Sequence, residues 1–312
     1  MKSKRNGLLE LYRIILCFWV MQHHDFFFLL NTSSKFSVAQ LSVDFFFIIS
    51  GFFLIRSMRR KQDGQVLKNT WRVMFEKLKP LLFTMLFITA FNLICMILFI
   101  RENPFGILFH VFKYWWYVLY LVIAVGIFYL LYRLVKKEKL FAIVVAVITV
   151  LMGIFHYALD QKGFFIYEFT FVARTFGCMG LGILLSYIPN WKTKKFNINI
   201  IFVIILIPIL LYMAYAKKSY LTCLVMLGLF CALVHFTSNI QIGGKVFDII
   251  GELSTRMYLY MSFVSMLDVL GLSNHRILFV IDVALSSLDL FVKIYKEKYK
   301  KLEKQTKQKR SV

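Results

Sequence analysis

Charge is scarce and lopsided in this chain. Only 17% of its 312 residues are charged, and the 16 acidic residues are outnumbered by 38 basic ones. A soluble domain averages about 25% charged residues, so the soluble classes drop out. The motifs that announce nucleotide or metal chemistry are missing as well: there is no P-loop, no Gly-x-Gly-x-x-Gly and no His-Glu-x-x-His. The five cysteines, Cys17, Cys95, Cys178, Cys223 and Cys231, form no Cys-x-x-Cys pair and all lie in apolar stretches. They read as small packing residues, neither disulfides nor metal ligands. Internal repeats and low-complexity segments are absent, and no Gly-x-x-x-Gly falls in an apolar stretch. The first hydrophobic segment is too long and too polar for a signal peptide, and no small-residue cleavage site follows it.

What is present is hydrocarbon. The chain is 60% hydrophobic and 18% aromatic, with a mean hydropathy of +0.70. The expected fold is all-α, a polytopic integral membrane protein of about ten transmembrane helices, multi-pass in the plasma membrane. Candidate spans fall near 8–30, 39–55, 80–100, 115–134, 140–159, 168–188, 197–215, 219–236, 248–268 and 276–295. The fourth is preceded by Gly106 to Lys113, a candidate surface segment. With the N-terminus in the cytoplasm, 28 Lys and Arg fall in inner segments and seven in outer loops, leaving Arg13, Arg174 and Arg256 within spans. That bias places both termini in the cytoplasm. It also accounts for the net charge of +22 without nucleic acid as a partner. Residues 1–295 form one membrane domain. A basic tail follows at 296–312, either solvated or touching anionic membrane lipid.

The first segment carries Glu10, Arg13, His23, His24 and Asp25. Charge inside a bilayer is costly and usually functional. Arg13 and His24 are eleven residues apart, about three helical turns, so they share a face roughly 16 Å apart along the axis. The bland reading pairs Arg13 locally with Glu10 and leaves His24 as a satisfied buried group. The second span enters from outside, so Asp44 sits at the depth that His24 reaches from inside. A carboxylate beside an imidazole fixes its tautomer and raises its basicity, as a general base requires; the same pair could simply hold two helices together. Ser50 and Gly51 fall near the midplane, where Gly permits close backbone approach. Gly177, Gly180 and Gly182 form a small-residue patch of the same kind. Arg56 marks the inner end near Arg13, which makes the inner half cationic.

At these residues the chain resembles the acyltransferase-3 family, membrane acyltransferases of bacterial type that modify surface polysaccharides, lipopolysaccharide or peptidoglycan. LELYR at Leu9–Arg13 looks like the family's opening motif, with Glu10 for its usual Asp, and Arg13 to His24 keeps its Arg-to-His spacing. SVDFFFIISGFFL at Ser42–Leu54 is similar to its second-helix signature, with Ser42 for Gly. KLKP at Lys77–Pro80 resembles an Arg-x-x-Pro element, with Lys77 for Arg. WWYVLYL at Trp115–Leu121, ARTFGCMGLG at Ala173–Gly182 and GELSTRMYLYM at Gly251–Met261 resemble later elements; Met261 stands where the family usually has His.

The resemblance implies transfer of an acyl group, usually acetyl, from acetyl-CoA or another acyl-CoA as co-substrate to a glycan hydroxyl, the glycan free or lipid-linked. No bound cofactor or metal is implied. His24, Asp44 and Arg13 would be catalytic. Arg13, Arg56, Lys77 and Arg174 would hold the anionic donor, supported by Glu10, Ser50, Gly51 and Trp116. Ser50 is a conceivable acyl carrier, although a helix-packing serine is the simpler reading. A flippase of lipid-linked sugars and a non-catalytic scaffold of polysaccharide assembly remain open at this point, because intramembrane charge serves proton relays equally well.

Overall fold

The computed structural model describes residues 6–23, 41–60, 66–100, 104–156, 167–189, 198–214, 220–238, 240, 242–272 and 274–310. Among the described residues there is no strand. Among them ten α-helices follow one another: α1 (Gly7–His23), α2 (Ser42–Arg60), α3 (Val66–Cys95), which a π-helical turn at Met96–Ile100 extends, α4 (Pro104–Val135), α5 (Glu138–Ile154), α6 (Tyr167–Leu185), α7 (Ile198–Ala214), α8 (Tyr220–Ser238), α9 (Lys245–Val269) and α10 (His275–Arg310). A segment in hydrocarbon must satisfy its backbone internally, and the helix does so within one chain segment. Three helices are long and apolar enough to cross a membrane, at Leu78–Phe99, Trp115–Val135 and Leu221–Ser238; shorter apolar stretches occupy Ser42–Ile55, Phe169–Leu185 and Ile200–Ile209. The outward surface carries Phe83, Tyr212 and Leu221, each more than two-thirds exposed. A soluble protein seldom shows so much apolar area. The chain is an all-helical membrane protein.

Several boundaries differ from those the hydropathy suggested. Helix α3 begins at Val66, well before the span expected from 80. Helix α4 begins at Pro104 and includes 106–113; Pro suits a first helical turn, and no breaker separates that segment from the apolar run. Helix α10 continues unbroken to Arg310, because no Pro or Gly follows Gly271. The boundary at 295 therefore falls inside one helix. Between α4 and α5 the chain turns in two residues, with Lys136 at φ 54°, a left-handed helix end.

The second helix is the hub. Phe45, Phe47, Ile48 and Ile55 on it are fully buried, and it touches α1, α4, α6 and α8. Its tightest neighbour is α6. A Cβ on Gly51 would strike the Met179 carbonyl oxygen, and a Cβ on Gly182 would strike the Ile48 carbonyl oxygen. The two helices thus meet backbone to backbone through a reciprocal pair of glycines, the usual device where lipid supplies no hydrophobic drive for association. Gly182→Leu is expected to destabilise the protein by about 1–3 kcal/mol or more, the cost of overpacking. Thermal melting in detergent measures it, and a parent-like melting temperature would contradict this crossing.

The ends of the bundle are distinct. At one end Arg59 of α2 pairs with Glu138 of α5 at 3.0 Å, Tyr132 of α4 donates to the same carboxylate, and Arg59 lies over the Tyr187 ring just past α6. The bond to Glu138 raises the Arg59 pKa further. Lys136, Lys137 and Lys139 are exposed nearby. Asp44 begins α2 at the opposite end.

Candidate active site

Arg13 is set on the seam between α1 and α9. Its guanidinium pairs with Glu10 one turn earlier at 2.8 Å and donates to the Thr255 hydroxyl at 2.9 Å. Gly251 makes room for the Glu10 carboxylate, which a Cβ there would overlap. One turn further, the Cys17 thiol reaches the Ser254 carbonyl oxygen. The local Glu10–Arg13 pair is therefore real, but it does not close the arginine off: the Arg13 side chain keeps 26% of its surface accessible. A guanidinium has five donors in a planar fork, so two engaged partners fix its position and leave donors for an anionic ligand.

Asp44 is ion-paired with Arg174 of α6, both deeply buried. Arg174 also lies over the Trp116 ring of α4, 5.8 Å from its centroid, and Trp116 stacks on Phe171 at 4.3 Å. Arg174, grouped by sequence with the donor-binding cations, thus stands beside Asp44, away from Arg59 and the basic end. Between the two arginines lies an aromatic and hydroxyl cluster. Tyr117 packs on Phe47 and on Tyr258, with centroids 4.7 and 5.1 Å apart. The Tyr117 hydroxyl faces Ser50 and is within electrostatic reach of Arg13, as Tyr258 is of Arg174. Ser50 donates its own hydroxyl to the Phe46 carbonyl oxygen at 2.7 Å, the behaviour of a helix-packing serine.

His24 lies outside the described residues, so the expected His24–Asp44 contact does too. His23 ends α1, and Arg56 and Lys77 lie in α2 and α3; the side chains of these three are not described. Among the described residues no three His, Cys, Asp or Glu side chains gather closely enough to share a metal ion.

A second buried polar network joins α3, α9 and α10. Arg256 approaches Asp289 at 3.2 Å and Glu252 at 3.4 Å. Thr84 donates to Asp289 and Lys293 to Glu252. One turn or two away, fully buried Asp282 accepts from Ser286. The signal for this network was the spacing of Asp282, Ser286, Asp289 and Lys293, four positions on one face of α10, facing a span that carries Glu252 and Arg256.

A family model described as an acyltransferase domain matches residues 6–287. That range covers most of the chain and every residue of the arrangement above except Asp289 and Lys293, and the chain belongs to this family, the acyltransferase-3 family. No curated protein and no solved structure matches it.

Proposed function

We propose that this membrane acyltransferase is an O-acyltransferase, multi-pass in the plasma membrane with both termini cytoplasmic. It moves an acyl group, in the simplest case acetyl, from a cytoplasmic acyl-CoA to a hydroxyl of a cell-surface or lipid-linked glycan. The observation that carries this reading is Arg13, fixed by Glu10 and Thr255 yet still accessible, inside the matched domain. The basic asymmetry of the loops supports a cytoplasmic side rich in cations, suited to polyanionic CoA.

In this reading His24, oriented by Asp44, takes the proton of the acceptor hydroxyl. The oxygen attacks the thioester carbonyl, while Arg13, about 16 Å from His24 along the helix, holds the anionic donor. Collapse of the tetrahedral intermediate breaks the carbon–sulfur bond, and the CoA thiolate leaves and takes up the proton held by His24. Arg56 and Lys77 assist in holding the donor's phosphates. Asp44 is a positioning residue, and its pairing with Arg174 supports a fixed carboxylate at that depth.

The test is acyl transfer by the purified protein in phospholipid vesicles, with radiolabelled acetyl-CoA outside and mass analysis of the glycan. Arg13→Lys keeps the charge and loses the planar fork, so transfer should fall while the protein stays folded. Unchanged donor affinity in Arg13→Ala would reduce Arg13 to a structural partner of Glu10. Export of glycan without any acylation would favour the flippase reading over the enzyme.

A further inference from the structure

We propose that Asp282 is a proton-carrying site inside the membrane, loaded along one face of α10 from the end of the bundle where Lys293 stands. The inference goes beyond acyl transfer and does not rest on it.

Asp282 is fully buried on α10. Its Oδ1 accepts from the Ser286 hydroxyl at 3.1 Å, and its Oδ2 has no hydrogen-bond partner among the described residues. The surroundings offer it no counter-charge. Cys17 of α1 and Tyr260 of α9 are the titratable groups within electrostatic reach, and beside them Phe18 meets Phe279 at 6.0 Å. The cations of the neighbouring network are engaged elsewhere, Arg256 with Asp289 and Glu252, and Lys293 with Glu252. Those two cations and two carboxylates balance, and Asp282 is left as the acid of the network without a cation. A carboxylate buried without a counter-ion takes up a proton instead of staying charged.

Three features favour a mobile proton over a metal cation or a structural acid. A hard metal cation takes about six oxygen ligands, far more than Asp282 and Ser286 gather, whereas a proton needs one. A structural acid holds its place by its hydrogen bonds, yet one oxygen here makes none, at a cost in free energy. The third feature is a path. Ser286, Asp289 and Lys293 follow Asp282 at intervals of four, three and four residues, which is one face of the helix. At the far end the Lys293 and Glu252 side chains keep 31% and 25% of their surface accessible. The row thus runs from accessible groups to a buried one, as intramembrane proton relays do. A proton entering there is held by the Asp289 carboxylate and passes to Ser286. The Ser286 oxygen takes it up while the hydroxyl gives its own proton to Asp282, so Ser286 is regenerated and one proton has moved. Asp282 is within reach of Cys17, one turn from Arg13, and the proton is delivered beside the helix that carries the candidate site.

The test is infrared spectroscopy of the purified full-length protein in phospholipid vesicles. The parent should show a carboxylic-acid carbonyl band that is missing in Asp282→Asn, a substitution of the same shape. Ser286→Ala should move that band, because a hydrogen bond to the carboxyl is lost, and this identifies Asp282 even if Asp282→Asn does not fold. Transfer into heavy water should shift the band as the acid proton exchanges for deuterium. In Ser286→Ala that exchange should slow by on the order of tenfold or more, the relay hydroxyl being gone. A carboxylic-acid band unaltered in both variants would overturn the proposal, because Asp282 would then be charged. So would a band that heavy water never shifts, the mark of a sealed structural acid, or exchange in Ser286→Ala as fast as in the parent. The measurement needs no donor, glycan or turnover. Its failure leaves the acyl-transfer reading standing, and a parent that exchanges this proton but transfers no acyl group refutes that reading alone.

Discussion

Asp44→Ala is expected to destabilise the protein by about 3–5 kcal/mol, the cost of leaving one member of a buried ion pair alone. Arg174 would be the stranded charge: it is almost wholly buried on α6, and its partner on α2 lies across the tightest helix contact in the fold. In a bilayer an uncompensated guanidinium is itself costly. Replacing both residues by apolar ones of similar volume, Asp44→Leu with Arg174→Met, should recover most of the loss. Melting in detergent reads the stability and acyl transfer reads the function. A double variant that folds but does not transfer would show that the carboxylate positions something beyond Arg174. A single Asp44→Ala variant as stable as the parent would contradict the buried pair.

The second large effect concerns His24. General-base assistance is typically worth 10²–10⁴-fold, so His24→Ala should lower acyl transfer by about that factor while the protein remains folded in the membrane. His23→Ala should keep substantial activity, since adjacent residues on a helix point about 100° apart and Arg13 shares its face with His24. The comparison is made on matched amounts of purified protein with the same donor and glycan. Equal activity in His24→Ala and the parent would remove the base from the mechanism and with it the main role given to Asp44.

The helical class and the Glu10–Arg13 pair were legible because they depend on local rules. Long apolar runs must be helices in hydrocarbon, and Glu10 and Arg13, three apart, must be neighbours on α1. Helix ends were less legible: α3 and α10 run past the apolar core into polar sequence, where hydropathy falls silent although nothing breaks the helix. The glycines at 51 and 182 each announced close packing, but neither could name the other.

The sequence alone determined the class of this protein: composition and long apolar runs marked an all-helical membrane protein, and its likeness to the motifs of the acyltransferase-3 family marked an acyltransferase, the family that the match over residues 6–287 shows. Only the tertiary structure decided partners. It joined Asp44 to Arg174, 130 positions away, Arg13 to Thr255, and Arg256 to Asp289. The physical reason is that the cost of burying a charge is written in the residue itself, whereas the group that offsets it is chosen by helix packing. Packing sums many weak, non-directional contacts between segments far apart in the chain, so no local pattern can record it.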